Sequence, residues 1–292
     1  MMKQRLYNFC ADARHFQIFT LGSLLCFLVM WSDFAPSIEI IALTITTALW
    51  VQYGFTNLIN NRASLRAERS NPEARLPRND TTPRMAFDYR SPLITSLSLC
   101  LLFRAAEIWF FPLAALIAIG SKFLIRYDGK HLFNPANIGI VALLILFPHH
   151  AWISPGQWGS DALLVFALLC LSFLVLFRVN KRDVVLFFIG SYAALTFILA
   201  LWLGDPLEIL FHQLQNGALL IFTFFMISDP KTTPDHKWGR FLFALSIAVI
   251  GFIMLFQFQV REGLFYALAL VCMVTPFIDK ALPARKFEWR TT

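Results

Sequence analysis

Hydrophobic positions in this chain form long continuous stretches, not the alternation of a half-buried strand or the one-sided stripe of a helix that faces water. Apolar runs approaching the length needed for a hydrocarbon core of roughly 30 Å recur from residue 16 to residue 278, separated by short polar or Pro/Gly-containing segments. The pattern predicts helices at roughly 16–32, 37–56, 91–103, 108–125, 135–148, 161–177, 184–203, 207–228, 240–257 and 263–279. The runs Asp161 to Phe177 and Val184 to Leu203 do not alternate, which argues against a membrane β-barrel, whose strands alternate over roughly ten residues. The expected fold class is therefore an all-α integral membrane protein of about ten transmembrane helices. A single transmembrane domain over 16–279 lies between tails at 1–15 and 280–292.

Two segments depart from the simple spanning pattern by length, and one by polarity. As helices, Leu93 to Phe103 and Pro135 to Phe147 would rise only about 16 and 20 Å, short of a bilayer core. The eighth segment is interrupted by His212-Gln213-Leu214-Gln215-Asn216-Gly217, a polar run at membrane depth. With five helices per half, the short third and the broken eighth fall at corresponding positions. Paired interruptions of this kind point to inverted repeats with a site between them, here over about 16–150 and 160–279.

Composition strengthens the membrane reading: 58% of residues are hydrophobic, 15% are charged, and mean hydropathy is +0.62. With a cytoplasmic N-terminus, the inner segments are 1–15, 57–90, 122–131, 178–183, 229–240 and 280–292. These hold 23 of the 25 Lys and Arg, leaving only Arg104 and Arg261 outside. That asymmetry predicts both termini on the cytoplasmic side. The net charge of +7 then faces anionic lipid, and nucleic acid is not an expected partner. The Arg- and Pro-containing loop 57–90 reads as a solvated connector, with a docking surface for a soluble partner as its functional alternative. Phe16 to Trp31 lacks a small-x-small cleavage site and reads as a helix, not a signal peptide. Cysteines 10, 26, 100, 170 and 272 are scattered singly, without the spacing of a disulfide framework, c-type haem or zinc site.

Two loops carry the candidate chemistry. The first runs through Gly120-Ser121-Lys122-Phe123 to His131-Leu132-Phe133-Asn134-Pro135-Ala136-Asn137. Asn134 before Pro135 reads as an N-cap with proline at the first helical position, and Asn137 adds a second amide near the same helix face. Two carboxamides there suit a carbonyl-rich or heteroaromatic ligand rim; capping is the plainer reading of Asn134. The second loop is Ser228-Asp229-Pro230-Lys231-Thr232-Thr233-Pro234, read either as a proline-rigid turn or as a contact for a ligand or ion through Asp229, Thr232 and Thr233. Arg104 and Glu107 are spaced as a local ion pair. His149 and His150 are too isolated to imply a metal, and Trp152 and Trp158 read as interface anchors. Motifs for hydrolysis, phosphoryl transfer and metal oxygenation (GxSxG, the P-loop, HExxH) are absent from the sequence.

At Ser121-Lys122-Phe123 with His131-Leu132-Phe133-Asn134-Pro135-Ala136-Asn137-Ile138-Gly139, and at Phe225-Met226-Ile227-Ser228-Asp229-Pro230-Lys231-Thr232-Thr233-Pro234, the chain resembles the NqrB/RnfD family. These are membrane subunits of the sodium-pumping NADH:quinone reductase and of the Rnf ferredoxin:NAD oxidoreductase. The resemblance, over about residues 91–279, implies ten helices in two inverted five-helix halves and a flavoprotein that passes electrons across the membrane, often coupled to sodium or proton movement. It places Asn134 and Asn137 beside a non-covalent riboflavin, Gly120 near the same ring, and Phe133 on its face. The larger members attach FMN to a threonine in an S-G-A-T-like motif between helices five and six. Residues 149–160 contain no threonine, so covalent FMN is not expected.

The sequence thus predicts an electron-transfer subunit of an oxidoreductase complex in the bacterial cytoplasmic membrane, embedded in the lipid bilayer. It is expected to bind flavin non-covalently, riboflavin in preference to FMN, through Gly120, Ser121, Lys122, Phe133, Asn134, Asn137, Asp229, Thr232 and Thr233, without a metal. Redox proteins or other membrane subunits are the expected partners. The alternatives are a transporter or channel without redox chemistry, and an accessory subunit of a biosynthetic complex.

Overall fold

The computed structural model describes residues 12–31, 36–70, 85–154 and 182–285. The predicted helix at 161–177 lies outside these residues, as do parts of the predicted tails and of the 57–90 loop. Each other predicted segment has a helix: α1 (Ala13–Trp31), α2 (Ile38–Ser70), α3 (Arg90–Leu102), α4 (Phe110–Leu124), α5 (Pro135–Leu146), α6 (Arg182–Leu203), α7 (Leu207–Leu214), α8 (Gly217–Met226), α9 (Lys237–Gln257) and α10 (Gly263–Ala281). By length and composition, α2, α6, α9 and α10 can each cross a membrane. The pair α7 and α8, bent by 52°, would form a fifth crossing, whereas α1, α3, α4 and α5 are shorter apolar helices.

Large apolar side chains point outward along these helices, with Trp202 84%, Ile38 74% and Phe277 72% exposed. An apolar exterior on this scale is stable only against lipid. The hydroxyls of Thr44, Thr56 and Thr196 donate to carbonyls four residues back, at 2.6, 2.8 and 2.9 Å, so these buried polar groups are satisfied within their own helices.

Packing runs through α1 on α3, α2 on α3 and α4, α4 on α5, α6 on α9, α9 on α10, and α5 on α10. The α4–α5 contact is close because Gly139 lacks a side chain: a Cβ there would lie 2.8 Å from the carbonyl oxygen of Ala114 and 2.9 Å from the Cβ of Ala118.

Both interrupted segments are resolved as breaks with identifiable caps. Helix α3 gives way to strand β1 (Phe103–Ala105), which pairs antiparallel with a later strand, Ala151–Ile153. Arg104 donates from Nη1 to the carbonyls of Cys100 (2.8 Å) and Phe103 (2.7 Å), placing a cation on the negative end of α3. This replaces the expected pair with Glu107, which is solvent-exposed. Between α7 and α8, the Asn216 side chain accepts from the backbone N–H groups of Ala218 and Leu219 at 2.9 and 3.3 Å and restarts the helix.

Two features correct the predicted loops. Helix α2 continues to Ser70, through the first part of the predicted 57–90 connector. The apolar run ends near Phe55, but Ala63, Leu65, Arg66, Ala67 and Glu68 are good helix formers, so polarity marks the edge of the apolar layer and not the end of the helix. Asn60 fastens the returning chain by bonding both the N–H and the C=O of Met85 at 2.9 and 3.1 Å. After α4, the segment predicted only as a loop is a β-hairpin: β2 (Arg126–Tyr127) pairs with β3 (Lys130–His131). Its two-residue turn, Asp128-Gly129, has φ of 49° and 83°, the left-handed pair that a tight hairpin requires and that Asp-Gly supplies.

One end of the bundle gathers the ionised side chains. Arg14 of α1 reaches Asp88 at 2.6 Å while Arg90 of α3 reaches Asp12 at 2.6 Å, a crossed quartet that locks two helix starts together. Lys130 on the hairpin pairs with Asp235 and, at 3.1 Å, with Asp279 at the end of α10. Arg240 at the start of α9 holds Asp183 at the start of α6 at 2.7 Å.

Candidate functional site

A cavity of about 410 Å³ opens at this basic end, between α3, the end of α4, the start of α5 and the turn after α8. That is within the range of about 300–1,000 Å³ for small-molecule sites. Its walls include Lys122, Phe123, Arg126, His131, Asn134, Phe225, Ser228, Asp229 and Lys231, together with Gln52 from α2 and Asp88, Arg90 and Ser91 at the start of α3.

The two sequence motifs meet here because each ends or starts a helix at the same level. Asn134 caps α5, its Oδ1 accepting from the N–H of Asn137 at 3.1 Å, while its Nδ2 donates to the carbonyl of Met226 at 3.2 Å. One amide thus satisfies an orphan donor of α5 and gives a second donor to the Met226 carbonyl at the end of α8, which also accepts from the N–H of Asp229 at 3.4 Å. Among the described residues the side chain makes no further hydrogen bond, which leaves it one N–H and one acceptor lone pair. His131 Nε2 lies 3.3 Å from Asp229 Oδ2, joining the hairpin to the second motif. Burial would raise the Asp229 carboxyl, but His131 and the backbone N–H and charge of Lys231 outweigh it and hold the group below its ordinary value of 3.8. Lys122 reaches across the cavity to Gln52 Oε1 (3.0 Å) and Ser91 Oγ (2.8 Å), both neutral acceptors.

The predicted site residues separate into distinct groups. Lys122, Asn134 and Asp229 line the cavity. Asn137 does not: it is 1% exposed, its Nδ2 donates to the carbonyl of Phe265 on α10 at 3.1 Å, and its Oδ1 has no hydrogen-bond partner among the described residues. Gly120 packs near Phe55 of α2, 3.8 Å from where its Cβ would be. Ser121 turns its hydroxyl back to the carbonyl of Ala118 at 2.8 Å. Phe133 packs against the apolar core. Thr233 is fully buried and Thr232 lines a neighbouring cavity of about 430 Å³ beside Lys130, Asp235 and Asp279. The hydroxyls of both threonines donate to the carbonyl of Asp229, at 3.1 and 3.2 Å, and build the turn.

Sequence reasoning passed over Gln52, Arg126 and the quartet of Asp12, Arg14, Asp88 and Arg90. Gln52 had a readable signal, a lone amide inside an apolar segment at membrane depth. The quartet had none, since its partners lie 74 and 78 residues apart.

Comparison with known proteins agrees with the motifs. Residues 155–288 match the model of the NQR2, RnfD, RnfE family. The D subunit of the proton-translocating ferredoxin:NAD(+) oxidoreductase complex of Clostridium ljungdahlii is 25% identical over 232 residues, covering 60% of this chain and 69% of the relative. The D subunit of the ion-translocating oxidoreductase complex of Pseudomonas paraeruginosa is 24% identical over 306 residues, 84% of this chain and 88% of its own length. The corresponding subunit of Methanosarcina acetivorans is 36% identical over a shorter stretch of 98 residues, 32% of each chain. Over residues 155–288, and along most of its length at about 25% identity, the chain is similar to the NQR2, RnfD, RnfE family.

Proposed function

We propose that this protein is the electron-transfer subunit of an ion-translocating oxidoreductase complex and that it holds a flavin non-covalently in the cavity at the basic end. The observation that carries the reading is the convergence of both motifs on one cavity. Asn134 lines that cavity together with Phe123 and Phe225. Amide groups suit the carbonyl and ring-nitrogen edge of an isoalloxazine, and aromatic walls suit its faces. A flavin bound there supplies one- and two-electron redox chemistry. The protein's part is to orient the ring, exclude water and set local charge through Lys122, Asp229 and His131. Other membrane subunits and redox proteins donate and accept the electrons.

The proposed topology is two inverted five-helix halves in the bacterial cytoplasmic membrane with both termini inside, and the helix packing supports the repeat. Helix α2 packs on α4 and α4 on α5; in the second half α6 packs on α9 and α9 on α10. Counterpart helices run in opposite directions: α5 begins at the basic end where α10 finishes, and α3 begins there where α8 finishes. Such a repeat brings α5 and α10 together at its centre, the contact that Asn137 makes to Phe265.

Purification of the full chain in mild detergent, followed by a visible spectrum and mass identification of any chromophore released on denaturation, tests the reading. Stoichiometric flavin, lost in Asn134→Ala, is the expected result. A colourless protein that also fails to bind added riboflavin and FMN would overturn it, leaving transport without redox chemistry, which the broken α7–α8 span favours.

A further inference from the structure

The β2–β3 hairpin stands between two cavities. His131 lines both the inner cavity around Asn134 and the neighbouring outer one of about 430 Å³, whose other wall includes Thr275, Pro276 and Asp279 near the end of α10. What holds this partition in place is ionic. Lys130 bonds Asp235, just before α9, and lies 3.1 Å from Asp279, while His131 lies 3.3 Å from Asp229 after α8. The two acids facing Lys130 are joined to one another, the N–H of Asp235 donating to Asp279 Oδ1 at 2.8 Å. All three acids belong to the α8–α10 side of the bundle, whereas the hairpin joins α4 to α5, so these contacts bridge two separate parts of the chain.

Apolar packing does little to fix the hairpin. Residues 126–129 are solvent-exposed and Lys130 and His131 are half-buried, and the closure at its base is internal, from the N–H of Leu132 to the carbonyl of Ile125 at 3.1 Å. An element with few buried apolar contacts sits at the low end of local stability, and a cavity on either side leaves it room to move.

We infer that the hairpin is a releasable strap. With Lys130 and His131 seated on the three acids it separates the two cavities; with them unseated the cavities join into one passage toward the contact of α5 with α10. Release deprives the Asp235 carboxyl, whose side chain is only 5% exposed, of the Lys130 ammonium, so the seated state is favoured and opening is transient. The strap governs access whatever the inner cavity binds, so its test is independent of the flavin reading.

Cys272 on α10 is a built-in reporter of release. It is fully buried, in hydrogen-bond contact with the backbone of Asn134 on the inner cavity and three residues before Thr275 on the outer one. Cys100, equally buried, lies near the far end of α3 from the basic cluster and serves as the control. Two forms of the full chain, one keeping Cys272 and one keeping Cys100 as its single cysteine, are labelled with N-ethylmaleimide in mild detergent. Lys130→Met is expected to speed labelling of Cys272 by roughly ten-fold or more and to leave Cys100 unchanged, with Asp279→Asn giving a smaller rise in the same direction. Labelling of Cys272 that neither variant changes overturns the strap. An equal rise at Cys100 overturns it as well, because Lys130 then supports the whole fold instead of one movable element. Where Lys130→Met does not fold, Asp279→Asn decides by the same comparison of the two cysteines.

Discussion

Asn134 has two separable jobs, and substitution tells them apart. As N-cap it accepts from Asn137, and as donor it ties α5 to Met226 at the end of α8. Asn134→Ser keeps a capping oxygen but cannot make the longer reach. Asn134→Ala loses both and should cost about 0.5–2 kcal/mol more for the missing cap, read from thermal unfolding in detergent. Equal melting of the two variants would show that the cap contributes nothing. Acid sensitivity belongs at this scale too. Asp12, Asp88 and Asp229 all lie below the ordinary 3.8, despite burial, because Arg14, Arg90 and His131 hold their ionised forms. Folded values below the unfolded one mean that the stabilisation is complete above 3.8 and is lost as pH falls through the lowered values. The loss on acidification should therefore be shallower in Asp229→Asn than in the parent, as measured by unfolding between pH 5 and pH 2.5.

At the scale of elements, close helix approach decides where the site residues sit. The start of α5 carries Asn134, and Gly139 sets its distance from α4. In Gly139→Ala the new methyl meets a carbonyl and another Cβ, neither of which can swing away, so about 1–3 kcal/mol of stability should be lost. Gly190 on α6 is exposed with nothing within 4 Å of its Cβ position, so Gly190→Ala should be neutral or gain up to about 1 kcal/mol from helix propensity. A thermal series with both variants checks the contrast. If the two glycines respond alike, close packing of α4 on α5 is not what fixes the start of α5. The Asp128-Gly129 pair carries a hairpin signal that the loop reading passed over, and only the fold shows what the hairpin does, which is to hold Lys130 and His131 toward the acids of two later segments.

For the whole molecule, the charges and the packing make one prediction about orientation. Tyr127 on the hairpin and Trp152 on the opposite sheet are both partly exposed, and the predicted topology puts them on opposite sides of the membrane. In a cysteine-less background, Tyr127→Cys should react with an impermeant reagent only when the cytoplasmic face is open, and Trp152→Cys only from outside. Labelling of both from one side would overturn the inverted arrangement. Partnership belongs at the same scale. On the proposed subunit reading, the protein should co-purify with other membrane proteins after crosslinking in native membranes, and recovery as an isolated chain would contradict that reading.

Residue order alone determined the apolar, membrane-spanning character, the approximate positions of the helices among the described residues, both interrupted segments and the pair of motifs. Each of these is written in local properties: runs of apolar side chains, a polar break at 212–217, Asn-Pro at a helix start, Lys and Arg concentrated in alternate loops. An apolar run could not say where a helix ends once polar helix formers follow it, so α2 reaches farther than its lipid-facing part. Nor could it say which way an amide faces. Asn134 and Asn137, three residues apart, part company because α8 lies beside one and α10 beside the other. The tertiary structure alone decided the composition of the cavity. Its floor and its charged side chains come from helix ends dozens of residues apart, and their proximity is set by packing between helices, which no local pattern encodes.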